Sequence, residues 1–151
     1  MDYSTFIPIR EIYIKAEKET GNLLILKEHA QAEASLVMFV GEPEFMAIAK
    51  EKGLIQTPRP LTHELYLSLL GQTELELLRV SISDVKDQTY LAQVHYRIGT
   101  EELIADSRPS DAIALALHQR IPILAHPGLL KKPLSSDQLD TLKDFIRSVK
   151  F

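Results

Sequence analysis

The stretch from Glu74 to Leu117 constrains the fold more than any other part of the chain. Leu78, Val80 and Ile82 alternate with Arg79 and Ser81, and Tyr90, Ala92, Val94, Tyr96 and Ile98 alternate with Gln93, His95 and Arg97. Period two is the mark of strands with one face buried. Asp84 to Gln88 and the Gly99-Thr100 pair are turn segments, and Glu101 to Asp106 reads as a third strand, so the segment forms an antiparallel meander. The pattern then changes. Pro109 has a fixed φ and no N–H, which suits a first helical position; Arg108 is then the N-cap and Asp111 falls in the first turn. Ala112 to Leu117 are apolar on every side, so the helix over 109–119 has to be buried, most simply against a sheet.

The N-terminal third repeats this plan. Ile9 to Lys15 alternate around Ile12 and Ile14, Gly21-Asn22 is a turn, and Leu23 to Leu26 and Ser35 to Val40 are apolar runs typical of strands. Gly41, Glu42, Pro43 and Glu44 open a helix with Pro43 at its first position and Phe45, Met46, Ile48 and Ala49 on its apolar side; it ends near Gly53. Residues 54–60, with Pro58 and Pro60, form a stiff connector. Thr62 is the expected N-cap of helix 62–70, with Leu61 stapled to Tyr66. Ile121 to Leu124 give a short last strand, and a terminal helix begins at Ser135 or Ser136, with Leu139, Leu142, Phe145, Ile146 and Val149 as its stripe. The order predicts two halves, each a strand meander closed by a helix, and a single α+β (α/β-type) domain with a largely antiparallel sheet. Residues 1–130 form its body and 131–151 a linker and capping helix.

At 151 residues the chain suits one domain with a real core. No apolar run is long enough to cross a bilayer, and the residues after Met1 lack the basic start and apolar region of a secretory signal, so a cytoplasmic location with no membrane partner is expected. The absence of cysteine excludes disulfides, thiolate metal sites and cysteine catalysis. The net charge of −4 is spread without a basic half. Broad counterion-release binding to nucleic acid therefore requires the fold to gather Arg59, Arg97, Arg108, Lys131 and Lys132.

Three polar clusters sit at helix starts: Gly41 to Glu44; Arg59 with Thr62, His63 and Glu64; and Asp106 with Arg108, Ser110 and Asp111. If these turns share a cleft, Glu44, Asp106 or Asp111 can hold a divalent cation such as Mg²⁺ or Mn²⁺ and activate water, Arg59 and Arg108 can grip a phosphodiester with Ser110 beside them, and His63 can move a proton. The same residues have a structural reading. Acids in first turns face the helix dipole anyway, and an Arg108–Asp106 pair would lock the turn. His63-Glu64 lacks the second histidine of a zinc-hydrolase motif, and His29, His95, His118 and His126 show no metal-ligand spacing. No P-loop or dinucleotide fingerprint occurs, so no organic cofactor is expected.

Read in order, Phe39 to Glu44 with Ala47 to Ala49, Thr57 to Leu65, Val80 to Val85, Asp106 to Leu115, and Ile121 to Ile123 resemble the bifunctional nuclease domain family over roughly residues 9–130. The resemblance implies an α/β-type fold and cleavage of both DNA and RNA. By motif it selects Gly41, Glu44, Arg59, Thr62, His63, Arg108, Ser110 and Asp111. Ser107 stands where the family's Asp-Ala-Arg-Pro-Ser-Asp run has alanine, and Glu64 stands where aspartate is usual after the histidine. The first functional expectation is thus a phosphodiesterase acting on DNA and RNA, with His63, Asp106 and Asp111 as catalytic candidates. The alternative is a non-catalytic, oligomeric anion-binding or regulatory module. Open strand edges and an exposed apolar stripe favour a homo-oligomer in either case.

Overall fold

A computed structural model of the chain describes residues 1–19 and 21–133. The expected terminal helix lies outside them. Each meander forms, but in a sheet of its own. Strands β2 (Glu11–Glu17), β3 (Gly21–Lys27) and β4 (Leu36–Val40) make a three-stranded antiparallel sheet. Strands β5 (Leu75–Lys86), β6 (Thr89–Ile98) and β7 (Glu101–Ser107) are the antiparallel part of a five-stranded sheet, which β1 (Ile7–Pro8) and β8 (Ile123–Ala125) complete in the order β1-β8-β5-β6-β7. The β8 strand runs parallel to β5, making the larger sheet mixed. This crossover follows from the buried helix: α3 (Pro109–Gln119) leaves β7, crosses the sheet against β5 and β6, and returns the chain beside β5.

Each meander leads directly into a helix, β4 into α1 (Glu42–Glu51) and β7 into α3, and the two helices pack together. Ala112, Ala114 and Ala116 are buried along α3, where small side chains permit close approach. One continuous core joins Ile12, Leu24, Leu26, Leu36 and Met38 of the small sheet, Ile48 of α1, Ile113 of α3, and Val80, Ile82, Ala92 and Val94 of the large sheet. The chain is therefore one α+β domain.

Several local expectations shift by a residue or two. The first strand, expected over 9–15, runs over Glu11 to Glu17 and pairs with β3, and a further short strand, Ile7 and Pro8, precedes it and pairs with β8. Leu61, not Thr62, is the N-cap of α2 (Thr62–Leu70); Glu64 supplies the cap by accepting the Leu61 N–H at 3.3 Å. Pro43 is the second residue of α1, after Glu42. The turn expected over 84–88 narrows to Asp87 and Gln88, both with left-handed φ (48° and 64°), the backbone of a tight two-residue hairpin. The expected alternation of β5 is broken by a bulge between Leu77 and Arg79. The extra residue moves Leu78 out of register, so that Leu77 takes the face expected of it. Leu75 and Leu77 thereby join Val94 and Tyr96 of β6 in lining the cleft described next.

Candidate functional site

A cleft of about 840 Å³ opens between the starts of α1, α2 and α3 and the helix-facing side of β5, β6 and β7. Its polar lining includes Glu44, Thr62, His63, Asp106, Ser107, Arg108, Ser110 and Asp111; Leu75, Leu77, Val94 and Ala105 form apolar wall. All three charged helix starts thus reach one cavity. Arg59 does not: it is exposed on the connector, and among the described residues only its main-chain carbonyl is engaged, by the Thr57 hydroxyl at 2.8 Å.

Arg108 is the centre of the polar end. As N-cap of α3 it is held in extended backbone by the following proline, which turns its side chain back along the helix start. Its guanidinium grips Asp111 with both prongs, Nε to Oδ2 at 2.7 Å and Nη2 to Oδ1 at 3.0 Å, and reaches Glu44 Oε1 through Nη1 at 2.9 Å. The pairing expected with Asp106 is not made, because Asp111 stands one turn along the same helix and meets the fork in plane. Asp111 and then Glu44 hold the Arg108 pKa above its already high ordinary value, so the charge is permanent.

Gly41 makes the Glu44 position possible. Its φ of −67° suits any residue, yet a Cβ there would lie 2.5 Å from Glu44 Oε2. The missing side chain is the space into which the carboxylate folds. Two of the three acids expected to hold a metal, Glu44 and Asp111, are therefore bonded to a guanidinium placed between them, where a divalent ion would have to sit. These residues do not fit a protein-held Mg²⁺ or Mn²⁺ in this arrangement. Asp106 is exposed and has no side-chain partner among the described residues. Ser110 is buried at the cleft floor.

His63 lines the cleft but directs Nε2 away from the arginine, to Glu51 Oε1 at 2.7 Å. Its side chain is 9% exposed, and its Nδ1 is buried without a partner among the described residues. Glu51 Oε1 also meets His118 Nδ1 at 2.8 Å. Helices α1 and α3 consequently run side by side in the same direction, with Glu44 beside Asp111 at one end and Glu51 beside His118 seven residues later in each. At 1.5 Å per residue the two polar centres stand roughly 10 Å apart. Glu64, next to His63, binds Lys50 at 2.6 Å, and this ammonium holds its carboxyl below the usual range.

Glu51 and His118 were not legible as partners. They are far apart in sequence and share no ligand spacing; only helix pairing brings them together. Two tyrosines were also hidden. Tyr66, read as part of a helix-start staple, and Tyr96, read as one more alternating strand residue, both line the cleft, and Tyr66 is half exposed there. A signal for Tyr96 existed in the period-two pattern of β6, since it shares a face with Val94.

The bifunctional nuclease domain model matches residues 24–137. This chain belongs to that family. The match starts later and ends later than the 9–130 span suggested by motifs. Two uncharacterized proteins from two strains of Mycobacterium tuberculosis are each 30% identical to it over 156 residues, an alignment covering 93% of this chain and 93% of theirs. In this family member, the motif residues Gly41, Glu44, Arg108 and Asp111 form one bonded unit at the cleft, and His63 forms part of a second. No helix among the described residues is long and apolar enough to cross a membrane.

Proposed function

We propose that the cleft binds and hydrolyses phosphodiester bonds of DNA and RNA. The observation that carries this reading is the convergence of the three charged helix starts on a single cavity in a bifunctional nuclease domain. Three of the five guanidinium N–H groups of Arg108 are taken by Glu44 and Asp111. The other two remain for non-bridging phosphate oxygens, and the two carboxylates hold the fork rigid, which is the preorganisation that transition-state stabilisation requires. Asp106, whose carboxylate has no partner among the described residues, orients the attacking water and takes its proton as the water oxygen bonds phosphorus; the P–O bond to the leaving oxygen breaks, and that oxygen is protonated from solvent or by His63. His63, which also lines the cavity, is the proposed proton-transfer residue; its Nε2 is held by Glu51 and has to leave that carboxylate to reach the substrate. Tyr66 and Tyr96, which line the cleft, are available to stack on bases, and Arg59, exposed outside it, to meet the backbone; stacking and backbone contacts of this kind do not discriminate DNA from RNA.

The test is cleavage of single- and double-stranded DNA and RNA with Mg²⁺, Mn²⁺ or EDTA, beside identically purified Arg108→Ala and Asp111→Ala proteins. Loss of cleavage in folded variants is the expected result; full activity in both overturns the assignment of the site. One observation favours a second reading. Arg108 is already neutralised by two carboxylates on a chain of net charge −4. A non-catalytic, oligomeric regulatory module that senses a small anion at this turn would bind oligonucleotides or phosphate without cutting them. A homo-oligomer in the cytoplasm is part of both proposals, and light scattering that shows monomer alone removes the oligomer from each.

A further inference from the structure

Away from the arginine, three ligand-bearing side chains meet where helices end. Glu51 is the last residue of α1, His118 lies in the last turn of α3, and His63 lies in the first turn of α2. Glu51 Oε1, His63 Nε2 and His118 Nδ1 all lie within 4.8 Å of one another. We propose that Glu51, His63 and His118 bind a divalent transition-metal ion of the zinc type. The site lies apart from the Arg108 cluster but shares His63 with the proposed nuclease cleft; its test reads metal binding directly, so its failure and the failure of nuclease activity are told apart.

Donor chemistry selects the ion. Two imidazoles and one carboxylate suit Zn²⁺ or Co²⁺ and are poor ligands for Mg²⁺ or Ca²⁺, which prefer oxygen alone. Tetrahedral zinc with bonds of about 2.0–2.2 Å separates its ligand atoms by roughly 3.4 Å. The oxygen–nitrogen distances of 2.7 and 2.8 Å therefore open by about 0.6–0.7 Å on binding, a small rotation of side chains. A fourth position is left for water, on the side where His118 is 38% exposed.

Electrostatics favours a cation at the same point. Two helix C-termini, those of α1 and α3, direct their negative ends there, against one N-terminus from α2. Glu51 is 13% exposed, yet no lysine or arginine among the described residues pairs with it; Lys50 next door is bonded to Glu64. Among the described residues, a largely buried carboxylate is thus balanced only by imidazoles. The His63 side chain is nine-tenths buried, and Nδ1, the nitrogen turned from the cluster, has no partner among the described residues. Without metal, the neutral ring donates Nε2–H to Glu51 and leaves the Nδ1 lone pair unmatched. With metal on Nε2, the ring proton resides on Nδ1. Metal binding is therefore accompanied by a change of tautomer at His63.

The experiment uses the full chain, stripped with a chelator and dialysed, then titrated with ZnCl₂ and CoCl₂ by calorimetry and visible absorption. One ion per chain, a tetrahedral Co²⁺ spectrum, no response to MgCl₂, and a switch of the His63 ring proton in ¹⁵N NMR are expected. His118→Ala and Glu51→Gln should each weaken Zn²⁺ binding at least tenfold, whereas exposed His29→Ala should not change it. Folding of each variant is checked by circular dichroism. If one fails to fold, the wild-type NMR tautomer decides. Binding that survives both substitutions, less than one ion per chain, or an unchanged His63 tautomer in the presence of Zn²⁺ overturns the proposal.

Discussion

Removing the Arg108 guanidinium separates a structural clamp from a substrate grip, because the two roles predict losses of different size. The side chain is 65% exposed and Asp111 46%, so the pair between them is screened by water and contributes well under about 1 kcal/mol. Glu44 is only 18% exposed, and in Arg108→Ala its carboxylate loses a charged partner, which costs about 1–2 kcal/mol more. The sum is roughly 1–2.5 kcal/mol, equivalent to a fall in melting temperature of about 3–8 °C for a domain of this size. A protein destabilised by that amount remains almost entirely folded at 25 °C. Cleavage, by contrast, should fall by about 10²–10³-fold, the loss typical of removing one preorganised donor from developing charge. The assay is a thermal melt beside initial cleavage rates on one labelled single strand, each at low and high salt. Arg108→Lys sharpens it, since an ammonium keeps the charge but cannot bond Asp111 with two prongs and reach Glu44 at once. A melting temperature more than about 15 °C lower, or wild-type cleavage by the folded variant, would refute the reasoning.

Three further outcomes follow from the geometry. Gly41→Ala should cost less than about 1 kcal/mol, since only the flexible end of Glu44 must move, yet it should reduce cleavage as Glu44→Gln does; an active G41A protein would show that the folded-back carboxylate is dispensable. Tyr66→Ala should weaken binding of single strands by about 1–3 kcal/mol per stacked base with little change in melting temperature, as fluorescence anisotropy can measure; unchanged affinity removes Tyr66 from the interface. His95 is buried, bonded to the Ser81 hydroxyl at 2.8 Å, and held below its ordinary pKa by burial and then by Arg79, against a smaller opposing effect of Glu102. Its folded pKa is below the unfolded value, so the unfolded chain binds the extra proton first: stability is full above about pH 6.5 and declines below it by up to about 1.4 kcal/mol per pH unit. Urea midpoints between pH 7 and pH 5 should show this decline, and His95→Gln should flatten it; an equal slope in the variant assigns the effect to another group.

The period-two runs in β5 to β7, the apolar helix α3 and the Arg108-Pro109 start were legible because each depends on residues within a few positions of one another. Pro109 sets its own φ, and the N-cap followed from it without reference to the rest of the chain. The bulge at Leu77 was not legible, because an extra residue in one strand is defined only against its partner β6. The separation of the meanders into two sheets was hidden for a related reason: alternation shows that a face is buried but not what buries it.

The candidate site divides in the same way. Sequence alone determined which residue types stand at the helix starts, and hence Glu44, His63, Asp106, Arg108, Ser110 and Asp111 as the polar lining of a prospective site. Their bonding was decided in three dimensions. Arg108 reaches Glu44 only because α1 and α3 pack side by side, and that same packing, two turns further on, brings Glu51 to His118 and closes both on His63. Arg59 stays outside the cleft because the proline connector, however close in sequence to His63, runs along the surface. Short-range chemistry is written in neighbouring residues; contacts between separate helices depend on the direction and offset with which their buried faces pack, and those are set only when the whole core assembles.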